Sequence, residues 1–182
     1  LINDLLNVSR MQAGKFLIDK EMADIEFIVR EEVMNLQAHA NTKNIDLKYI
    51  PPKKKIPQLP LDINKTRQVI MNFIDNAIYY TPKGKIDVSL GLLPGEVELR
   101  IKDTGIGVPK QAQKRLFSKF YRAPNAMTLR PDGTGLGLYL AKRVIEDQNG
   151  TIIFESEEGK GSTFGFRLPL NSKQGRSHAE SK

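Results

Sequence analysis

Three stretches of this chain place polar and glycine residues at spacings suited to chemistry. Asn72 and Asn76 lie four residues apart, in a segment where Val69, Ile70, Phe73, Ile74 and Ala77 recur at helical spacing. On a helix both amides then project from one face, opposite the apolar stripe and beside Gln68, Asp75 and Tyr79. An amide oxygen is a hard donor of the kind Mg²⁺ prefers, although a polar helix face is most often only solvated. The second stretch is Asp103-Thr104-Gly105-Ile106-Gly107, placed after a strand-like run. Its glycines permit close backbone approach, so Asp103 could accept a hydrogen bond from an exocyclic amine; an ordinary β-turn is the plainer reading. The third is Asp132-Gly133-Thr134-Gly135-Leu136-Gly137-Leu138, which leads into a helical pattern. Glycines ahead of a helix leave N–H groups free for phosphate. The run is neither Gly-x-Gly-x-x-Gly nor a P-loop, because no Lys-Ser/Thr follows.

Composition removes other chemistries. The 182 residues include no cysteine, which excludes disulfides, thiolate metal sites and a cysteine nucleophile. It also fits a reducing compartment. The two histidines, His39 and His178, are far apart and read as surface residues, so a histidine zinc site is not expected. No apolar run approaches the roughly 18 residues of a membrane span. The net charge of +7 owes much to Lys53-Lys54-Lys55 and to the C-terminal tail. It reads as a solubilising surface rather than a nucleic-acid groove, and no nucleic-acid partner is expected. The opening Leu-Ile-Asn-Asp-Leu-Leu lacks a start Met and a signal-peptide pattern, so we expect an internal cut in a longer protein.

The elements that must position these motifs follow from periodicity. Leu1, Leu5, Val8 and Met11 mark a short amphipathic helix stopped by Gly14. A strand is predicted over 16–22, then a helix capped by Asp24 and reaching about Ala40. Ile45, Leu47 and Tyr49 alternate as a strand, and Leu59 to Leu61 suit another. Asp62 should cap the helix that carries both asparagines, ending near Tyr80. Strands follow near 85–92 and 96–103, joined by Leu93-Pro94-Gly95. Residues 104–134 read as loop with one short helix near 111–117. Pro124, Pro131 and Gly133 should interrupt any regular element over 122–134. Gly135 should open a helix to about Gln148, and a hairpin of 151–157 with 163–168 closes the fold. Helices interleaved with mostly antiparallel strands predict a two-layer α/β sandwich, a mixed sheet covered on one face by three main helices, and not a doubly wound fold.

Taken in order, the asparagine pair, the Asp-Gly turn and the glycine-rich helix start resemble the Bergerat-type ATPases, which include histidine kinases, gyrase and Hsp90-like ATPases. Residues 72–81, Asn-Phe-Ile-Asp-Asn-Ala-Ile-Tyr-Tyr-Thr, look like the histidine-kinase N box. Residues 103–107 look like the G1 box and 133–138 like the G2 box. Residues 115–122, Arg-Leu-Phe-Ser-Lys-Phe-Tyr-Arg, look like the F box, and 159–164 like a final glycine box. The F box favours histidine kinases over gyrase-like clamps. Residues 1–15 look like the end of the second helix of the family's dimerisation and phosphotransfer hairpin.

The resemblance implies a Bergerat ATP-binding fold over 16–170 and a disordered tail over 171–182. ATP and Mg²⁺ are the implied ligands, with Asn76 on the metal and Asn72 in support. Asp103, with Gly105, Gly107 and Thr163 close by, would hold the adenine, and Tyr80 would lie against the base. Backbone amides of Gly135, Leu136, Gly137 and Leu138 would hold the phosphates, with Gly133 and Thr134 also among the nucleotide-binding residues. Asn72, Asn76 and Arg122 are the implied catalytic residues, with Arg130 a further cation. The activity implied is that of a two-component sensor histidine kinase: the γ-phosphoryl passes to a histidine on an upstream hairpin, then to an aspartate of a response-regulator receiver domain. The whole protein would be a cytoplasmic-facing homodimer, anchored to a membrane by a segment outside this chain. Two alternatives stand beside it, a nucleotide-binding signalling module without phosphotransfer and a gyrase- or chaperone-type clamp. One position departs from the family. The N box usually carries a phosphate-binding Lys where this chain has Tyr79. On a helical wheel Tyr79 should face the same site as Asn72 and Asn76. Either Arg122 or Arg130 replaces the missing charge, or affinity is reduced.

Overall fold

The computed structural model describes residues 6–9, 11 and 13–171. The expected tail beyond 171 and part of the expected first helix lie outside the described residues; residues 6–9 and 11 are helical. The elements that follow are β1 (Glu21–Ala23), α1 (Ile25–Thr42), β2 (Ile45–Ile50), β3 (Leu59–Leu61), α2 (Ile63–Tyr80), β4 (Gly84–Leu93) and β5 (Glu96–Asp103). After these come α3 (Lys110–Gln113), α4 (Pro124–Leu129), α5 (Gly137–Glu146), β6 (Thr151–Glu157) and β7 (Gly161–Pro169).

Five strands make one mixed sheet, ordered β2-β4-β5-β7-β6. Only β2 and β4 run parallel, with Ile45 opposite Gly84; the other neighbours are antiparallel. Alternation divides the sheet into two faces. Leu99, Ile101 and Phe166 turn inward and are fully buried, while Glu98, Arg100 and Arg167 form an ion-pair ladder on the outer face. The inner face packs against α1, α2 and α5, so the expected two-layer sandwich with three main helices is the observed one. β1 and β3 pair in a separate two-stranded ribbon that the sequence did not announce.

The helix starts follow local chemistry. Asp24 Oδ1 accepts from the Phe27 N–H at 3.1 Å, and Asp62 Oδ1 accepts from the Lys65 N–H at 3.0 Å. Each satisfies a donor that the first helical turn leaves without a partner. On α2 the residues Val69, Ile70, Phe73, Ile74 and Ala77 are buried, which turns the asparagine face away from the core. At roughly 1.5–3 kcal/mol per large apolar side chain, that stripe fixes the rotation of α2 more firmly than any single polar contact.

Four expectations are corrected. The strand expected over 16–22 is only Glu21–Ala23, because residues 15–20 find no partner strand and are tied by side chains instead. Asp62 Oδ2 accepts from the Asp19 N–H at 3.1 Å, and Lys20 Nζ donates to the Gln148 carbonyl at 3.3 Å. The helix near 111–117 shortens to Lys110–Gln113 followed by turns. The segment 122–134 does contain a regular element, α4, since Pro124 falls at its first turn, where a missing N–H costs nothing. α5 starts at Gly137 rather than Gly135, whose φ of +71° is left-handed and cannot continue a helix.

Candidate nucleotide site

One cavity of about 370 Å³ gathers the three motifs. Its walls are the polar face of α2, the turn after β5, the α4 segment and the start of α5, and such a volume suits a ligand of nucleotide size.

Asp103 sits at the end of β5, only 5% exposed. Its Oδ1 accepts from the Gly105 N–H at 2.8 Å and from the Ser162 N–H at 3.2 Å. Both bonds fall on the same oxygen, which leaves Oδ2 for the cavity that Asp103 lines. Burial pushes the carboxyl up to about 6, and the two N–H groups oppose this by favouring the charged form. The arrangement is a buried acceptor with one unspent oxygen, suited to an N–H donor on a planar ligand. Gly105 cannot be replaced without its Cβ striking the Tyr80 carbonyl and the Asp103 carboxylate.

At the other end stand the asparagines. Asn76 Nδ2 donates to Asn72 Oδ1 at 3.3 Å, which turns the Asn76 oxygen away from its neighbour. Asn72 Nδ2 is buried without a partner. A buried amide donor with nothing to meet asks for an oxygen-rich ligand. Beside it lies the N-terminus of α5, where no side chain caps the free N–H groups. A Cβ at Gly137 would come within 2.7 Å of Asn72 Oδ1, so this glycine lets the helix start approach the amide. Unpaired N–H groups and the helix dipole favour phosphate at such a start.

The α4 segment closes the third wall. Asn125 Nδ2 donates to the Gly107 carbonyl at 2.9 Å, fastening α4 to the turn after β5. Arg122 braces the far end: Nη1 donates to the Pro131 carbonyl at 2.9 Å and Nη2 to the Arg130 carbonyl. Arg130 turns back toward α2, with Nη1 3.2 Å from Asp75 Oδ2 and its guanidinium 3.9 Å from the centre of the Tyr79 ring.

A family profile described as histidine kinase-, DNA gyrase B-, and HSP90-like ATPase matches residues 61–172. The chain belongs to this ATPase family. Within it the domain is 35% identical over 181 residues to the signal transduction histidine-protein kinase BarA of Escherichia coli K12, covering 94% of this chain and 19% of BarA. The chain therefore spans about a fifth of that relative. Full-length ShkA, solved in complex with AMPPNP, superposes with a TM-score of 0.81 at 28% identity, covering 93% of this chain and 35% of ShkA. The fold is also that of the histidine kinase ThkA, solved with the response regulator protein TrrA: TM-score 0.72, 21% identity, 91% and 47% coverage.

The ATPase domain brings most of the expected residues to one cavity. Asn72, Asn76, Tyr80, Asp103, Gly107, Arg122, Arg130, Gly133, Thr134, Gly135, Gly137 and Leu138 all line it. Gly105, Leu136 and Thr163 do not. Gly105 acts through its N–H on Asp103. Leu136 is fully buried against Val8 and Leu140. Thr163 lies opposite Lys102 and Glu155, on the outer face of the sheet, while Ser162 and Phe164 face the cavity. The alternation of Phe164, Phe166 and Leu168 was the signal that could have placed Ser162, not Thr163, at the site. Asn125 had no such signal, because its role depends on where α4 lands. Tyr79 is corrected too: its ring is outside the cavity lining and sits between Arg130, Lys43 and His39. Among the described residues there is no cluster of three or more His, Cys, Asp or Glu that could hold a metal ion.

Proposed function

We propose that the domain binds Mg·ATP and supplies its γ-phosphoryl to a histidine of a phosphotransfer hairpin, from which a receiver-domain aspartate takes it. The observation that carries this reading is the pairing of a buried acceptor, Asp103, with an uncapped helix start and an unpartnered Asn72 amide at the other end of one cavity. Asp103 Oδ2 accepts from the adenine amine, and Tyr80 lines the cavity beside it. The N–H groups at the start of α5 and the Asn72 Nδ2 meet phosphate oxygens. The residues present fit a magnesium ion, because Asn76 offers an amide oxygen and Mg²⁺ draws its remaining ligands from phosphates and water. When bound, that ion neutralises charge on the phosphates. Arg122 and Arg130 stand at the cavity wall as further positive charge.

The transfer needs little from this chain beyond position and charge, as phosphoryl transfers generally do. An imidazole nitrogen lone pair attacks the γ-phosphorus, the P–N bond forms, the bond to the β-γ bridging oxygen breaks, and ADP leaves. The nucleophile belongs to the hairpin, so no general base is required of the domain.

The test is phosphotransfer in trans. With γ-labelled ATP and a histidine-bearing hairpin, label should appear on the hairpin in a bond that is labile in acid and stable in base. Without the hairpin no such label should appear. Label on His39 or His178 would refute the assignment of the nucleophile, and ATP binding without any transfer would favour a signalling module that has lost phosphotransfer.

A further inference from the structure

The α2 residues that line the cavity are Asn72, Asn76, Ala77 and Tyr80, so no lysine or arginine of this helix meets polyphosphate there; Lys65, two turns nearer the helix start, is paired with Asp62. Tyr79, also on α2, is half-buried and organises cations from two other elements. The Arg130 guanidinium lies 3.9 Å from its ring centre and Lys43 Nζ lies 4.3 Å from it, both within the range of a cation–π contact. His39 meets the same ring edge-on at 5.5 Å. Asp75, one helical turn before Tyr79, accepts from Arg130 Nη1 at 3.2 Å and lies 3.4 Å from His39 Nδ1. Arg130 is thus gripped at its face by a ring and at its edge by a carboxylate. Its Nε remains buried with no partner, although Arg130 lines the cavity wall. An arginine held on two sides, with a donor left over and a cavity beside it, is set for an anionic acceptor.

We propose that Tyr79 is a positioning residue for phosphate binding: its ring, with Asp75, holds the Arg130 guanidinium that follows α4 at the cavity, so that a cation missing from the α2 wall of the cavity is supplied by the α4 segment. This rests on the reading of the cavity as an ATP site. The hydroxyl is not needed, since the attraction comes from the ring face.

Calorimetry with ATP, ADP and adenosine separates this from simple packing. Tyr79→Leu should weaken ATP and ADP binding by roughly tenfold and leave adenosine unchanged. Tyr79→Phe should stay within about twofold of the parent, because the ring face is kept. Arg130→Gln should weaken ATP at least as much as Tyr79→Leu, and the double variant should be no worse than Arg130→Gln alone. Should Tyr79→Leu fail to fold, Arg130→Lys carries the test: it keeps the charge but loses the planar stack, and should bind ATP several-fold more weakly with adenosine unaffected. The proposal is overturned if Tyr79→Leu binds ATP like the parent, if Tyr79→Phe loses as much as Tyr79→Leu, if adenosine loses as much as ATP, or if the two single losses multiply. A parent that binds no adenine compound sinks the ATP-site reading and this inference together. A parent that prefers ATP to adenosine, with Tyr79→Leu unchanged, sinks this inference alone.

Discussion

At the scale of single residues, Asp103 sets stability against binding. Its carboxyl in the fold titrates near 6, above the ordinary 3.8, because burial disfavours the charge. The folded state therefore holds the proton more tightly than the unfolded chain does. Stability from this group is present at low pH and declines as pH rises from about 4 through 6, by an amount on the order of 3 kcal/mol. Asp103→Asn keeps an oxygen for the Gly105 and Ser162 N–H groups and removes the buried charge. We expect it to raise the melting temperature at pH 7–8, with the gain vanishing near pH 4. The same variant presents an amide donor where a ligand amine needs an acceptor, so adenosine and ATP should bind it at least tenfold more weakly. In the parent protein, adenosine affinity should be flat above pH 6.5 and fall below 6, since only the carboxylate accepts. Adenosine is the better probe here because it carries no titrating phosphate. A stabilised variant with parental affinity would break the link between the buried charge and the site.

At the scale of elements, the site depends on how closely α5 approaches α2. Gly137 is the contact, as the first residue of α5 and the one whose Cβ would meet Asn72. Alanine suits a helix better than glycine by roughly 0.5–1 kcal/mol. Gly137→Ala should therefore leave the circular dichroism and thermal stability near parental, while the displaced Asn72 amide costs ATP affinity tenfold or more. A loss of stability with intact binding would show that Gly137 serves packing alone. Gly135 acts differently. Its left-handed φ of +71° turns the chain between α4 and α5, and a Cβ there would come within 2.7 Å of the Phe120 backbone. The chain thus uses Gly135 for a turn and Gly137 for an approach.

Across the whole molecule, a buried amide ties the parts together. Gln148, 1% exposed after the end of α5, accepts from the Asp62 N–H at 2.7 Å and donates to the Thr66 hydroxyl at 3.2 Å and the Val144 carbonyl at 3.1 Å. Its main-chain carbonyl accepts from Lys20 Nζ, in the segment just ahead of β1, at 3.3 Å. The Gln148 side chain therefore joins the start of α2 to the end of α5, and its main-chain carbonyl adds the segment ahead of β1. Gln148→Leu would leave the Asp62 N–H and the Thr66 hydroxyl without their partner. We expect a loss of about 2–4 kcal/mol in urea unfolding, because desolvated groups then go unpaid. A loss under 1 kcal/mol would mean the node is dispensable. A second link lies at the other end of α5, where Val8 packs on Leu136 and Leu140. The helix leading into the domain thus touches the segment whose N–H groups face the cavity. Among the described residues, no helix is long and apolar enough to cross a membrane.

Local chemistry decided much of this protein. Caps at Asp24 and Asp62, the apolar stripe of α2 and the alternation of the strands depend on near neighbours, so they were legible in the chain. So were the glycines that open the cavity, since few other residues tolerate such turns and approaches. Pairing across long separations was not. Nothing near Glu21 announces that it will lie opposite Leu61, and nothing near Asn125 says that it will bind the Gly107 carbonyl. Tyr79 shows the limit most clearly. The helical wheel gave its direction to within a face, but Arg130, Lys43 and His39 come from elements 36 to 51 residues away in sequence and only the packed fold brings them to its ring. Spacing along a helix determines which way a side chain points, and tertiary packing determines what it meets there.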